Sequence, residues 1–169
     1  MALREIVSIP DPVLRRKAHR VTDFGKDLQV LVDDMVETMR AAPGVGLAAT
    51  QISISTRLIV VEYGSEDDED APKKLYVMAN PEIIQSSAET ELAVEGCLSV
   101  PGLVGEVERS FKVVIKGQNR RGLPVRLKAC GWLARIFQHE IDHLDGILYT
   151  ARATMVWKPT ENEAATVAD

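Results

Sequence analysis

The sequence predicts an α+β fold in which antiparallel β-sheets surround a C-terminal helix, and that helix carries the stretch FQHEIDHLDG (Phe137 to Gly146). Three observations predict it. Apolar residues follow a helical rhythm in two separate stretches, one toward each end of the chain. Between them lie short apolar or β-branched runs bounded by polar segments, Gly and Pro, the pattern of strands. The second helical stretch is apolar around most of its circumference, so it belongs inside the protein. With 169 residues the chain suits one well-buried core and is short for two. Residues 1–158 are therefore expected to form a single domain, and the polar 159–169 a disordered tail.

The elements follow in order. Asp11-Pro12 reads as an N-cap and first helical residue of a short basic turn. From Leu28, the residues Leu31, Val32, Met35, Val36 and Met39 keep the i, i+3, i+4, i+7 spacing of an amphipathic helix, which Pro43-Gly44 stops. RLIVVEY (57–63) and LYVMANP (75–81) read as strands, and the polar GSEDDEDAPKK between them as an exposed loop. ELAVEGCLSVPG (91–102) reads as a strand broken at Gly96 and at Pro101-Gly102. Phe111 to Lys116 and Val125 to Lys128 read as two antiparallel strands joined by GQNRRG. From Gly131 to Leu144 the helical pattern returns in Trp132, Leu133, Ile136, Phe137, Ile141 and Leu144, and Asp145-Gly146 supplies a stop.

Composition narrows the function. The chain is 46% hydrophobic and 27% charged with net charge −5, and no apolar run is long enough to cross a bilayer. An acidic balance argues against broad attraction to nucleic acid, despite small basic patches at 15–17 and 119–122. The start lacks the pattern of a secretory signal or transit peptide. The chain thus reads as cytoplasmic, or as a mature organelle form. Its two cysteines, Cys97 and Cys130, then point to metal binding, catalysis or packing rather than a structural disulfide.

The chemistry gathers on the last helix. His139 and His143, two of only three histidines, stand one turn apart on one face, where two imidazoles can grip one cation. Glu140 projects about 100° round from His139, beside such an ion and suited to take a proton from water. The alternative is a helix with two structural histidines and a salt-bridged Glu. Asp142 is expected to pair with a base such as Arg109. A catalytic site needs three protein ligands and an open position. A metzincin-type third histidine is excluded because Tyr149 stands there, and the downstream acids Glu161 and Glu163 lie in the polar tail. The third ligand must come from upstream, and Cys97 in EGCLS is the best candidate; the alternative is a buried core cysteine. Cys130, about 13 Å of helix before His139, is too far and is assigned to the core. His19, in a basic surface turn, is a bystander.

GVGLAATQ (44–51), EGCLS (95–99) and QHEIDH (138–143), in that order, resemble the three signature segments of the peptide deformylases, and the similarity runs from about Ile6 to Trp157. The resemblance implies a metal-dependent hydrolase of protein biosynthesis that removes the N-terminal formyl group from the formyl-methionine of newly made proteins, releasing formate. It implies Cys97, His139 and His143 as ligands of one divalent ion, Fe2+ by preference, with Zn2+, Ni2+ or Co2+ as substitutes. It implies Glu140 as general base and acid, with the Gln51 amide and the Leu98 backbone N–H stabilising the oxyanion. Val45, Gly46 and Gly96 would meet the substrate backbone, and Val45, Trp132, Ile136 and His139 would line the methionine pocket. The implied partners are N-formyl-methionyl nascent polypeptides and, where these emerge, the ribosome. The short acidic tail lacks the long basic helix by which some relatives dock there. Two rivals remain, a metallopeptidase and a non-catalytic module in which the metal only ties the helix to the Cys97 segment. A closed structural site would have no use for Glu140.

Overall fold

The computed structural model describes residues 2–65 and 67–161. The expected last helix is present as α2, Gly131–Leu144, and strands of two antiparallel sheets pack on it. It ends where Gly146 adopts φ +74°, and a Cβ there would sit 2.6 Å from the Arg15 carbonyl oxygen. Only glycine meets both demands. Upstream, Asp11 Oδ1 accepts from the Val13 N–H at 3.0 Å, capping a short 3-10 turn over Pro12–Arg15.

The first helix, α1, spans Lys26–Ala41 and buries Leu28, Val32, Met35, Val36 and Met39 against a cluster containing Leu47, Leu58 and Val60. Its buried polar residues, Asp34 and Thr38, hold the start of the chain. Asp34 accepts from the Ala2 N–H at 2.7 Å and from Arg4 at 2.8 Å, and Thr38 Oγ1 accepts from the Arg4 N–H at 2.9 Å.

Eight strands form among the described residues: β1 Gly46–Ala48, β2 Leu58–Tyr63, β3 Lys74–Ser86, β4 Thr90–Cys97, β5 Val100–Ser110, β6 Lys112–Gln118, β7 Pro124–Cys130 and β8 Met155–Trp157. One sheet has the order β1-β2-β3-β6-β7 and the other β4-β5-β8, with every pairing antiparallel. The α+β architecture is thus as expected. No described helix is long and apolar enough to cross a membrane.

Three expectations change. The segment 91–102 is not one interrupted strand but the turn of a hairpin, with Cys97 opposite Val100 and the reversal at Leu98-Ser99. The register shift falls between Gly96 and Cys97, so β5 passes through Pro101-Gly102 at a bulge, where the N–H that proline lacks is not needed. Strand 75–81 likewise runs on through Pro81 to Ser86, because the pairing shifts between Ala79 and Glu82. There Asn80 takes φ +52° and exchanges hydrogen bonds with the Val21 backbone at 2.8 and 3.0 Å. Cys130, assigned to the core, is exposed, because the end of β7 turns its side chain away from the apolar layer. The loop 64–73 is largely exposed, as expected for what is described of it, and the tail expected over 159–169 lies outside the described residues from position 162.

Candidate metal centre and catalytic site

Helical spacing brings His139 and His143 together on α2, with ring centroids 5.1 Å apart. Strand alternation brings in the rest: Glu95 and Cys97, two apart on β4, present their side chains on one face. Cys97 Sγ lies 3.3 Å from His143 Nε2, and one ligand atom from each of Cys97, His139 and His143 lies within 4.8 Å of the others. All three residues are buried.

His139 is oriented from behind. Its Nδ1 is 2.9 Å from Glu95 Oε1, and an ionised carboxylate can only accept, so Nδ1 carries the proton and donates. Its Nε2 faces the other two ligand atoms and meets no hydrogen-bond partner among the described residues. A buried nitrogen left so is costly unless something binds it. A soft cysteine sulfur and two imidazoles, one of them presenting that orphaned nitrogen, fit a borderline divalent ion in a three-ligand site.

Without an ion, burial opposes charge on His139, but the facing Cys97 sulfur, Glu95 and Glu140 hold its pKa well above the ordinary value. Burial, the neighbouring His139 and Arg109 push His143 well below it, against Glu95. Metal ions bind the neutral imidazole, so an incoming ion competes with protonation of His139.

Glu95 itself is buried beneath the site, at 2% exposure. Burial raises its pKa, yet hydrogen bonds from Arg109 and His139 and their charges outweigh this and hold it far below the usual range. Arg109 contacts both its oxygens at 2.8 Å and reaches Asp142 at 2.7 Å, the pairing expected for Asp142. Arg152 also grips Asp142, at 2.6 and 2.9 Å. Glu95, Arg135 and Arg152 had been given no role from the sequence. The available signal was the acid two residues before Cys97, which alternation places on the same face.

Glu140 is 1% exposed and lies against β1: a Cβ on Gly46 would be 2.6 Å from Glu140 Oε2. Gly46 is thus required by the carboxylate that packs on it. Gln51 is fixed by accepting from the Ala48 N–H at 3.0 Å, which turns its Nε2 toward Ser99 Oγ at 3.2 Å and Cys97 Sγ at 3.7 Å. Leu98 follows Cys97 in the hairpin turn, and its side chain reaches within 3.2 Å of a Cβ built on Gly44. Gly96 is buried beside Cys97. Val45 and Trp132, partly buried, pack on the same cluster as Ile136. Tyr149 stacks on His139 with centroids 6.2 Å apart. His19, by contrast, is exposed and pairs with Thr56.

The comparisons with known proteins agree. Residues 3–158 match the polypeptide deformylase family. A peptide deformylase of Symbiobacterium thermophilum is 53% identical over 91% of this chain and 68% of its own, and one of Desulforudis audaxviator 47% identical over 95% and 100%. The crystal structure of the Thermotoga maritima peptide deformylase superposes with TM-score 0.85 at 41% identity, covering 92% of this chain and all of its own. A Met-Ala-Ser-bound class I type b peptide deformylase of Acinetobacter baumannii gives 0.83 at 39% identity, covering 89% and 98%. Sequence motifs, fold and buried donor set thus lead to one conclusion: this chain belongs to the polypeptide deformylase family.

Proposed function

We infer that this site performs the family's reaction, the metal-dependent hydrolysis that removes the formyl group from the N-terminal methionine of newly made proteins and releases formate. The observation that carries the reading is the meeting of Cys97, His139 and His143 with a buried acid, Glu140, beside them on α2. Cys97, His139 and His143 would hold one divalent ion, proposed to be Fe2+ with Zn2+, Ni2+ or Co2+ as substitutes. An ion so held supplies Lewis acidity, bringing the pKa of water from 15.7 to about 7.

The chain's own residues do the rest. Glu140 takes the proton from the attacking water on its carboxylate and delivers it to the leaving amine nitrogen of methionine. The Gln51 Nε2–H and the Leu98 backbone N–H donate to the formyl oxygen as charge gathers on it. β1 stands at one edge of its sheet and β4 at the edge of the other, so an extended substrate adds beside them, passing Val45, Gly46 and Gly96. Val45, Trp132 and Ile136 form the walls for the methionine side chain. The Acinetobacter relative is bound to Met-Ala-Ser, a peptide that begins with methionine as the product of this reaction would. Residues 1–158 act as one catalytic unit, on formylated nascent chains in the cytoplasm, with the ribosome as the place of encounter.

The test is direct. Metal-loaded protein incubated with formyl-Met and acetyl-Met peptides should release formate from the first and leave the second intact. Cleavage of internal peptide bonds instead would establish the peptidase.

A further inference from the structure

Glu95 is held at every acceptor position. A carboxylate offers about four lone-pair sites, and here Oε1 receives Arg109 Nη2 and His139 Nδ1, while Oε2 receives Arg109 Nε and Arg135 Nη1. Arg109 alone would satisfy the charge. Arg135 adds something different: it comes from α2, the element that carries both histidines, and reaches the sheet that carries Cys97. Its Nη1 donates to Glu95 at 2.6 Å and to the Val107 carbonyl of β5 at 2.9 Å, and its Nη2 donates to the Glu91 carbonyl of β4 at 2.7 Å. The residue is 4% exposed, and its guanidinium lies 5.7 Å from the centre of the Trp132 ring.

We infer that Arg135 is a positioning residue for the metal centre, a rigid spacer that sets the distance between α2 and the β4–β5 hairpin and so the geometry at which Cys97 meets His139 and His143. The physical reason lies in the shape of the group. A planar guanidinium presents several donors in a fixed fan and can bind three acceptors on two strands at once. It is itself held by the aromatic face of Trp132. A helix packed on a sheet by apolar contacts alone can slide by a fraction of an ångström at little cost, whereas three hydrogen bonds, two of them buried, to two backbone carbonyls and one carboxylate define one position. Because Arg135 and His139 are one turn apart on α2 and share Glu95, any shift of the helix relative to β4 also turns the imidazole.

The inference rests on Cys97, His139 and His143 holding the ion, and its test separates the two. Wild type, Arg135→Lys and Arg135→Met are loaded with Co2+, and the visible spectrum and the rate of cobalt loss to a chelator are measured beside the urea midpoint. Arg135→Met is expected to shift the d–d bands and to lose cobalt about 10–100-fold faster, with kcat reduced more than KM for a formyl-Met peptide. Arg135→Lys keeps the charge but not the fan of donors, and should fall between. If Arg135→Met does not fold, Arg135→Lys decides by the same two readouts. Wild-type bands and wild-type cobalt loss in every folded variant, whatever the urea midpoint, would overturn the inference. Failure of wild type itself to bind one cobalt would instead overturn the metal reading beneath it.

Discussion

The two helices of this protein resemble each other in sequence pattern and differ in what they bury. α1 turns Leu28, Val32, Met35, Val36 and Met39 inward, and its two buried polar residues are occupied with holding the chain's first residues. α2 buries apolar residues too, but with them Arg135, His139, Glu140, Asp142 and His143. Burying an apolar side chain stabilises on its own account. Burying an ionisable one costs several kcal/mol unless partners or a ligand compensate. A helix that concentrates the second kind reveals a site, whereas α1, whose buried Asp34 is answered by Arg4, reveals a scaffold.

Breaking each helix should therefore give opposite results. The largest effect belongs to His139→Ala on α2: loss of stoichiometric metal and of deformylation, read by elemental analysis and formate release. Glu140→Gln should lower kcat by about 10²–10⁴-fold with metal content unchanged; full turnover would remove Glu140 from its role. On α1, Met39→Ala should cost about 2–5 kcal/mol in urea denaturation while activity per folded molecule stays at wild type.

A pH series on metal-free protein sharpens the comparison. The folded-state pKa of Glu95 is depressed, so the stability it contributes is complete above its ordinary value of 4.5 and is lost as pH falls through the folded value. Glu95→Gln should flatten that acid limb of the urea midpoint, and Met39→Ala should not. The smallest effect is expected from Arg40→Met, in the last turn of α1. Arg40 reaches Glu62 at 2.7 Å, but its side chain is 55% exposed, so both the urea midpoint and activity should match wild type.

Much of the fold was legible because apolar periodicity reports local structure directly. The bounds of α2 and the face of α1 follow from it, as do the core stretches of β2, β3, β6 and β7. The hairpin at Leu98-Ser99 and the continuation of β3 past Pro81 were not legible. Both depend on bulges, and a bulge is decided by the strand across the ladder. The exposure of Cys130 was misjudged for a different reason: a cysteine packs well in a core when its strand faces one, and Cys130 falls on the exposed face of β7.

By itself the sequence marked the candidate donors: two imidazoles four residues apart on a buried helix, an acid beside them, and Cys97 as the best candidate for a ligand from upstream. The imidazole pair and the acid follow from residue type and short-range spacing, which helical geometry converts into position without help from the rest of the chain, whereas Cys97, on β4, meets them only in the folded chain. Only the tertiary structure decided how the donors are held. Glu95, Arg109, Arg135, Asp142 and Arg152 come from two strands, a helix and the segment beyond it, and their pairing exists only once the sheet carrying Cys97 is packed on α2. Apart from Asp142, whose pairing with a base such as Arg109 was expected, these charges carry no mark of their partners in the sequence, because which of many possible pairs forms is chosen by the burial that excludes water from all of them at once.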